Sequence, residues 1–297
     1  MKKILVIGGT GFIGFHVIKE ALKRKWKVTS ISLTKPNGNR RQKKVKYIIL
    51  NLTNFEKLKK KINDNYDFVV NAAGYNKITS LSESLFDSHF LGLLNLLKVL
   101  KTKKLKKFIQ IGSSAEYGKA TSPQRENAIC LPKTSYAMAK FACTNFLQNY
   151  HRNNNFPATI LRFFLVYGPN QGKNRVLPEV IESCLRNKKF ATTLGNQKCD
   201  FCFIDDAIEA IFKTLFTSKS NGEVINIGYG KPLKIKDTIN LVCKLIGKGQ
   251  PLFGKLKYKK GTNMKLYPDI RKAKKIIGWT PKINFFQGIK KTIATYK

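Results

Sequence analysis

The feature that most constrains this chain lies near its start, where an apolar run leads directly into closely spaced glycines. Residues 4–7 are apolar, and Gly8-Gly9-Thr10-Gly11-Phe12-Ile13-Gly14 and an amphipathic segment to position 23 follow them. Glycines at positions 8, 11 and 14 permit a tight turn, a close approach of backbone to a pyrophosphate, and close packing of a helix on a strand. The helix N-terminus that follows suits an anion. This strand, turn and helix together predict a dinucleotide-binding turn.

Short apolar runs recur along the chain, separated by segments of helical length. They lie at residues 4–7, 28–33, 47–50, 68–70, 108–111 and 159–164. Runs that do not alternate with polar residues are typical of parallel strands buried on both faces. The alternation with helices predicts a doubly wound α/β fold. Further along, we expect helices at 176–188, 205–216, 235–246 and 269–277, and strands at 201–204 and 223–227.

Charge is the most unusual part of the composition. The 297 residues include 56 Lys and Arg against 17 Asp and Glu, a net charge of +39. Such a charge attracts polyanions, but the lysines are scattered and accompany no nucleic-acid motif or aromatic stacking platform. We therefore expect no specific nucleic-acid partner. A negatively charged small substrate, or a location near anionic lipid headgroups, fits better.

Neither a membrane segment nor a metal site is expected. The first apolar run has four residues, too few for a signal peptide, and residues 90–100 include Asn95 and Lys98. We expect a cytoplasmic protein without membrane insertion. The six cysteines have no spacing typical of disulfide scaffolds or zinc sites. Cys199 and Cys202 would point to opposite faces of one strand, so we expect reduced, structural cysteines and no metal.

The end of the second predicted strand indicates the cofactor. A carboxylate there usually binds the ribose 2′-hydroxyl of NAD, but this segment contains Ser32, Thr34 and Lys35 and no acidic residue. The cations at positions 40, 41, 43 and 44 follow. A hydroxyl with cations nearby suits a 2′-phosphate, which predicts NADP over NAD. The alternative is that these cations belong to a uniformly basic surface.

Three further residues form a candidate catalytic group. Tyr136 and Lys140 are one helical turn apart on the same face. A cation beside a phenol favours the ionised form, so Tyr136 can accept and donate a proton. Ser114 follows the strand predicted at 108–111, where a hydroxyl can reach the same crevice and polarise a carbonyl.

These motifs together resemble the extended short-chain dehydrogenase/reductase family of nucleotide-sugar epimerases, dehydratases and reductases. The resemblance runs nearly end to end. It rests on residues 8–14, Asn71-Ala72-Ala73-Gly74, Gly112-Ser113-Ser114-Ala115-Glu116-Tyr117-Gly118, residues 136–140, residues 161–169, Asp200-Phe201-Cys202-Phe203-Ile204-Asp205-Asp206 and Gly278-Trp279-Thr280-Pro281.

The resemblance implies a fold, a reaction and a set of contacts. The fold is a Rossmann-type doubly wound parallel sheet in residues 1–167, to which 201–228 return, with a smaller nucleotide-sugar-binding lobe from 168–200 and 229–297. Ser114, Tyr136 and Lys140 would be the catalytic triad, with hydride moving between nicotinamide and sugar C4. A homodimer would form through helices at about 83–101 and 136–152.

The implied contacts fall into two sets. Cofactor contacts would come from Gly8, Thr10, Gly11, Phe12, Ile13, Gly14, Ser32, Thr34, Lys35, Asn51, Leu52, Ala72, Ala73, Gly74, Tyr136, Lys140, Phe163 and Val166. A nucleoside-diphosphate sugar would be bound by Ser114, Ala115, Glu116, Tyr136, Arg175, Val176 and Lys198.

Several positions depart from the family pattern. Ala115 stands where dTDP-glucose dehydratases carry a catalytic Asp, and Glu116 stands where they carry a partner Glu, although a structural hydrogen bond is its alternative role. Cys199 replaces an Arg that grips the substrate diphosphate, which leaves Lys198, Arg175 or Lys173 for that task. In addition, Leu165 replaces a common Asn, and His89 stands where an Asn often precedes Gly92.

Three reactions remain open. An NADP-like site with a complete triad favours an NADPH-dependent reductase of a 4-keto-6-deoxy sugar nucleotide. An NAD-dependent 4-epimerase is the alternative, and a 4,6-dehydratase is disfavoured by Ala115. A scaffold protein without catalytic activity is the non-enzyme alternative, and it would not need Ser114, Tyr136 and Lys140.

Overall fold

The protein is described from a computed structural model that covers residues 1–74, 86–259 and 261–296. A seven-stranded sheet forms its centre. The strands are β1 (Lys3–Ile7), β2 (Lys27–Ser32), β3 (Val45–Ile49), β4 (Phe68–Asn71), β5 (Lys107–Ser113), β6 (Ala158–Phe163) and β11 (Val224–Ile227). Their order is β3-β2-β1-β4-β5-β6-β11, and every neighbouring pair is parallel. The predicted doubly wound α/β fold is confirmed.

Helices cover both faces of this sheet or pack beside it against the smaller sheets. They are α1 (Phe12–Lys23), α2 (Phe55–Lys61), α3 (Gly92–Val99), α4 (Ser135–Asn154), α5 (Val176–Leu185), α6 (Ile204–Leu215), α7 (Ile235–Ile246), α8 (Arg271–Ile277) and α9 (Phe285–Ile293). Ile4 and Val6 join the apolar core on one face, and Leu5 and Ile7 join the core on the other. This two-sided burial explains why the strand sequences do not alternate with polar residues.

Smaller sheets lie outside the main one. Strand β7 (Leu165–Tyr167) pairs with β10 (Phe201–Phe203), and β8 (Lys189–Ala191) pairs with β13 (Gln250–Leu252). Strand β9 (Lys198–Cys199) lies between β12 (Leu233–Lys234) and β14 (Lys265–Leu266). With α5 and α7, strands β8, β9 and β12 to β14 form what we call the second lobe.

The end of the chain is attached to α6. Trp279 Nε1 donates to the Asp206 carbonyl at 2.9 Å, and the Asp206 carboxylate accepts from the backbone N–H groups of Lys282 and Ile283. The final helix, α9, was not predicted. Its signal was a capping box, in which Asn284 and Gln287 each accept from the other's backbone N–H.

One strand expectation was wrong. The segment from Cys199 to Cys202 was expected to be one strand, but it divides at Asp200 into β9 and β10. The division follows from the Asp200 carboxylate, which accepts from the N–H groups of Tyr229 and Gly230. All six cysteines are free thiols.

No helix within the described residues is both long enough and apolar enough to cross a membrane.

Candidate functional site

The strand order creates a crevice at the carboxyl edge of the sheet. The chain runs from β1 outward to β2 and β3, then returns to place β4 on the other side of β1. The connections that follow β1 and β4 therefore leave in opposite directions, and ligands of doubly wound sheets bind at such a point. Gly8 follows β1, Ala72 follows β4, and Ser114 follows β5. The predicted cofactor and catalytic residues thus share one edge.

The glycine turn is packed too tightly for side chains. Gly8 has φ +74°, and a Cβ on it would lie 2.8 Å from the Ala72 carbonyl oxygen. A Cβ on Gly14 would lie 2.2 Å from the Gly8 carbonyl oxygen. Both glycines are therefore required by backbone packing.

The same turn leaves a helix terminus available for phosphate. Gly11 is the N-cap of α1 and has no side chain to occupy the N–H groups of the first turn, which includes Phe12 and Ile13. Exposed N–H groups and the helix dipole favour a pyrophosphate. The close glycine packing and this open terminus fit a dinucleotide.

The side chains of Ser32 and Arg40 both contact the backbone of Thr10 in the turn. Ser32 Oγ accepts from the Thr10 N–H at 3.2 Å, which leaves the Ser32 hydroxyl proton to donate elsewhere. Arg40 donates from Nη1 to the Thr10 carbonyl at 3.0 Å and from Nη2 to the Asn170 carbonyl at 2.5 Å. Of the four cations that follow the second strand, Arg40 is the one that contacts the turn.

The remaining cofactor candidates differ in exposure. Thr34, Lys35 and Asn51 are exposed, whereas Leu52 and Phe163 are buried in the apolar core. Val166 lies in β7, and Ala73 and Gly74 follow β4.

Tyr136 and Lys140 lie in the first two turns of α4, which begins after a side-chain cap. Thr134 Oγ1 accepts from the Ala137 N–H at 3.1 Å, which fixes the start of the helix. The buried Lys140 ammonium donates to the carbonyls of Ile111 at 2.8 Å and Ala73 at 3.3 Å. These carbonyls lie near the carboxyl ends of β5 and β4. Lys140 is thereby held one turn from the Tyr136 phenol.

Ser114 begins a short 3₁₀ turn, Ser114–Tyr117, directly after β5. Ser113 Oγ accepts from the Ala115 N–H at 3.2 Å and fixes this turn. Ser114 itself is buried at the crevice edge of the sheet. Its hydroxyl is therefore positioned by the same backbone that carries the Ile111 carbonyl.

The structure does not support a substrate contact for Glu116. Its side chain is fully buried, and its carboxylate accepts from the Ser113 N–H at 2.7 Å, from Thr144 Oγ1 at 2.8 Å and from Arg162 Nη2 at 2.8 Å. A buried carboxylate with these three partners is a structural group. The alternative role, a structural hydrogen bond, is the one that the contacts support.

His89 lies against the candidate catalytic tyrosine. The rings of His89 and Tyr136 meet edge to face with centroids 5.5 Å apart, and the His89 carbonyl accepts from the Cys143 thiol at 3.5 Å. The buried imidazole therefore forms one wall beside the Tyr136 ring.

The candidate substrate cations lie on other elements than the triad. Arg175 precedes α5 and is exposed, as are Val176 at its first position and Lys198 in β9. Lys173 is paired with Glu182 at 3.1 Å. Across the described ranges, no side-chain hydrogen bond or ion pair joins Arg175 or Lys198 to Ser114 or Tyr136.

Two contacts near the candidate site were not predicted from the sequence. Arg40 was one cation among four, and nothing local indicated that its loop folds back onto Thr10. Arg162 was only part of a motif, and its pairing with Glu116 depends on β5 and β6 being neighbours. Within the described ranges, no group of three His, Cys, Asp or Glu side chains is arranged to hold a metal ion.

Known proteins resemble this chain over nearly its whole length. The chain is 28% identical over 306 residues to a putative UDP-glucose 4-epimerase of Methanocaldococcus jannaschii, covering 99% of this chain and 98% of that one. It is 28% identical over 320 residues to the dTDP-D-glucose 4,6-dehydratase of Bos taurus, covering 100% and 89%.

A solved structure of similar sequence has the same fold as this chain. UDP-glucuronic acid 4-epimerase from Bacillus cereus, in complex with UDP-glucuronic acid and NAD, superimposes with a TM-score of 0.89 at 28% identity and covers 99% of this chain and 98% of that one. The model of the NAD-dependent epimerase/dehydratase family matches residues 4–228, about three quarters of the sequence. The chain therefore belongs to the NAD-dependent epimerase/dehydratase family.

Proposed function

We propose that this chain is a nucleotide-sugar 4-epimerase, which oxidises and re-reduces a hexose at C4. The observation that carries the proposal is the Lys140 ammonium, held by the carbonyls of Ile111 and Ala73 one helical turn from Tyr136. Ala73 lies beside Gly8 of the turn that suits a dinucleotide, which supports a role for Lys140 near the cofactor. The relatives named above include epimerases of UDP-linked sugars.

Each triad side chain has a defined task in this proposal. Tyr136 accepts the proton of the C4 hydroxyl and later returns it. Lys140 supplies a cation one helical turn from Tyr136, held there by the Ile111 and Ala73 carbonyls. Ser114 donates a hydrogen bond to the C4 oxygen as it gains carbonyl character. The bound nicotinamide supplies the acceptor and donor of hydride.

A dehydratase needs acid and base groups beyond the triad, and this chain offers few. Ala115 has no titratable group. Glu116 is committed to Arg162, Thr144 and the Ser113 N–H. An epimerase needs no group besides Tyr136, Lys140 and Ser114 at C4, so the available chemistry favours it.

The proposed substrate is a nucleoside-diphosphate hexose. Its diphosphate would be bound by Arg175 and Lys198, because Cys199 is buried and uncharged where an Arg is common. Ser114, Ala115 and Tyr136 would contact the sugar, and Val176 would contact the nucleoside. The net charge of +39 favours any such anion.

An NADPH-dependent reductase of a 4-keto-6-deoxy sugar nucleotide is the second candidate. It is favoured by Arg40, whose guanidinium lies on the Thr10 carbonyl beside the Ser32 hydroxyl. A 2′-phosphate at this position would meet one cation and one hydroxyl donor. The reductase would use the same triad in one direction only.

One experiment separates the two reactions. The purified protein is incubated with UDP-glucose and UDP-glucuronic acid, and the products are identified by NMR of the sugar C4 proton. An epimerase gives the C4 epimer without added cofactor if NAD co-purifies, or with catalytic NAD. Consumption of NADPH with 4-keto-6-deoxy sugar nucleotides, and no epimer from the intact hexoses, would establish the reductase instead. Absence of both reactions would contradict the assignment to C4 chemistry.

We also propose that a homodimer forms through the segment 86–99 and α4. Phe86, Leu91 and Met138 are large apolar side chains that are 37%, 38% and 47% exposed. The predicted interface helix began at 83, and residues 83–85 lie outside the described part of the chain. Light scattering of Leu91→Asp tests the proposal, since a dimer should become monomeric and Leu256→Asp, at another exposed leucine, should not change the mass. An unchanged mass for Leu91→Asp contradicts this interface.

A further inference from the structure

Two cysteines far apart in sequence meet between two helices of the second lobe. Cys184 lies near the end of α5 and Cys243 lies in α7. They are separated by 59 positions, yet their Sγ atoms are 3.4 Å apart. This is hydrogen-bond contact between two thiols, and it is the one contact between cysteine side chains in the part of the chain that the structure describes.

The surroundings of the two thiols differ. Cys184 is fully buried, whereas Cys243 is partly exposed. Gly249 closes the other side of Cys184, because a Cβ on Gly249 would lie 2.7 Å from the Cys184 Cα. A reagent from solvent therefore meets Cys243 first and reaches Cys184 only through it.

Little movement separates this contact from a covalent bond. A disulfide has an S–S distance of about 2.0 Å, so the two sulfur atoms need to approach by about 1.4 Å. Rotation about the Cα–Cβ bonds of the two cysteines moves their sulfur atoms toward each other.

We propose that Cys184 and Cys243 are a redox modification site, at which a peroxide converts the two thiols into a reversible disulfide between α5 and α7. Nothing in the proposed reaction at C4 uses either thiol, so this proposal stands independently of the proposed function.

The oxidation proceeds in two steps, in which all atoms and electrons are accounted for. The Cys243 thiol loses its proton and its sulfur attacks one peroxide oxygen; the O–O bond breaks, Cys243 becomes a sulfenic acid, and the hydroxide that leaves takes up the thiol proton as water. Cys184 sulfur then attacks the Cys243 sulfur, the S–O bond breaks, and the Cys184 proton leaves with the hydroxide as a second water. The two thiols lose two electrons, and the peroxide gains them.

Cys243 reacts with peroxide before Cys184 because the two thiols differ in exposure and Cys184 stays protonated. Burial and the hydrogen bond with Cys243 raise the pKa of Cys184 to about 12, so this sulfur stays protonated at neutral pH. A protonated, enclosed thiol reacts poorly with peroxide. It is nevertheless in contact with Cys243 and suits the second step, in which it displaces hydroxide from the neighbouring sulfur.

The disulfide would connect the ends of a long segment. It closes a loop of 59 residues that includes β8, β9 and β12. Closing a loop of this length restricts the unfolded chain and stabilises the folded lobe. The oxidised protein should therefore melt at a higher temperature than the reduced protein.

The test follows the thiols of the whole protein by mass. Reduced protein is treated with hydrogen peroxide, unfolded in N-ethylmaleimide, and digested without reductant. We expect four of the six cysteines to be alkylated, a linked peptide pair containing Cys184 and Cys243, and a mass lower by about 2 Da before alkylation. Dithiothreitol should reverse all three changes. Tm should rise by about 5 °C or more on oxidation.

Single variants define which thiol reacts first. In Cys184→Ser, dimedone should label Cys243 and no linked peptide should form. In Cys243→Ser, Cys184 should stay alkylatable. Cys130→Ser is the control, because Cys130 is partly exposed and far from this pair in sequence, and it should oxidise like the wild type. Oxidation of Cys243 to sulfinic acid in the wild type without a link to Cys184, or a link to another cysteine, would overturn the proposal.

Discussion

Arg162 donates two hydrogen bonds to one oxygen of Glu116, from Nε at 3.2 Å and from Nη2 at 2.8 Å. The side chains are 2% and 0% exposed. Removal of either partner leaves an uncompensated buried charge, which costs about 3–5 kcal/mol. The pair therefore connects β6 to the turn after β5, where Ser114 lies.

Glu116→Gln should lower the free energy of unfolding by about 3–5 kcal/mol, measured by urea denaturation. The matched control is Glu209→Gln, since Glu209 pairs with Lys282 at the surface and its loss should cost less than about 1 kcal/mol. Unchanged stability together with lost turnover would mean that the Glu116 carboxylate acts on substrate.

Tyr136→Phe should lower kcat by about 10²–10⁴-fold, because the variant removes the proton acceptor and retains the ring. Tyr150→Phe is the control, because the same change occurs in the same helix, where the Tyr150 ring packs against Phe146 and Phe156. Cofactor binding by Tyr136→Phe, followed by fluorescence, should remain within about threefold of the wild type. Full activity of this variant would rule out the proposed proton transfer.

Arg40→Leu should weaken NADP binding by about tenfold or more, since a charged hydrogen bond to the 2′-phosphate is lost. NAD binding should change little. Arg41→Leu, at the exposed neighbour, controls for the general positive charge. Calorimetric titration of both dinucleotides checks this. An equal loss for NAD and NADP would show instead that Arg40 acts by holding the Thr10 carbonyl.

Lys107 should make stability depend on pH in the alkaline range. Lys107 is 1% exposed, and its ammonium is bound by uncharged oxygens, including the Thr217 carbonyl at 2.8 Å and Ser220 Oγ at 3.1 Å. Burial lowers the pKa of Lys107 to about 8 in the folded protein, against 10.5 for an exposed lysine. Between these values the unfolded chain binds more protons, so stability should rise with pH.

Urea denaturation of the wild type and Lys107→Met from pH 7 to pH 10.5 measures this effect. The stability of the wild type relative to the variant should rise by about 3 kcal/mol between pH 8 and pH 10.5. Lys103→Met, at an exposed lysine, should show the same pH dependence as the wild type. A constant difference between the wild type and Lys107→Met would mean that the Lys107 pKa is not lowered.

The sequence predicted those parts of the fold that depend on neighbouring residues. Strand β1, the glycine turn and α1 follow from one local pattern, and α7 has the predicted bounds of 235–246. Tyr136 and Lys140 lie in one helix, so the sequence alone predicted that they share a face one turn apart. The family and the doubly wound sheet followed from these segments.

The features that were missed or misplaced depend on distant contacts. Arg40 reaches Thr10 and Asn170 across 30 and 130 positions. Glu116 was placed at the substrate by the family resemblance, with a structural hydrogen bond as the alternative, and its partner Arg162 lies 46 positions away on another strand. Local patterns contain no information on such pairs, so the sequence could supply the candidate residues but not their partners.

The last strand of the central sheet has a consequence for synthesis. Strand β11 pairs with β6, although α5, β8, β9 and α6 come between them in the chain. A ribosome that has made the glycine turn, the triad and β6 has therefore not yet made the strand that covers the edge of β6. Until Ile227 emerges, that edge has unpaired backbone groups exposed to other nascent chains. A truncated chain that stops at residue 167 should consequently aggregate, even though it contains every residue proposed to act at C4.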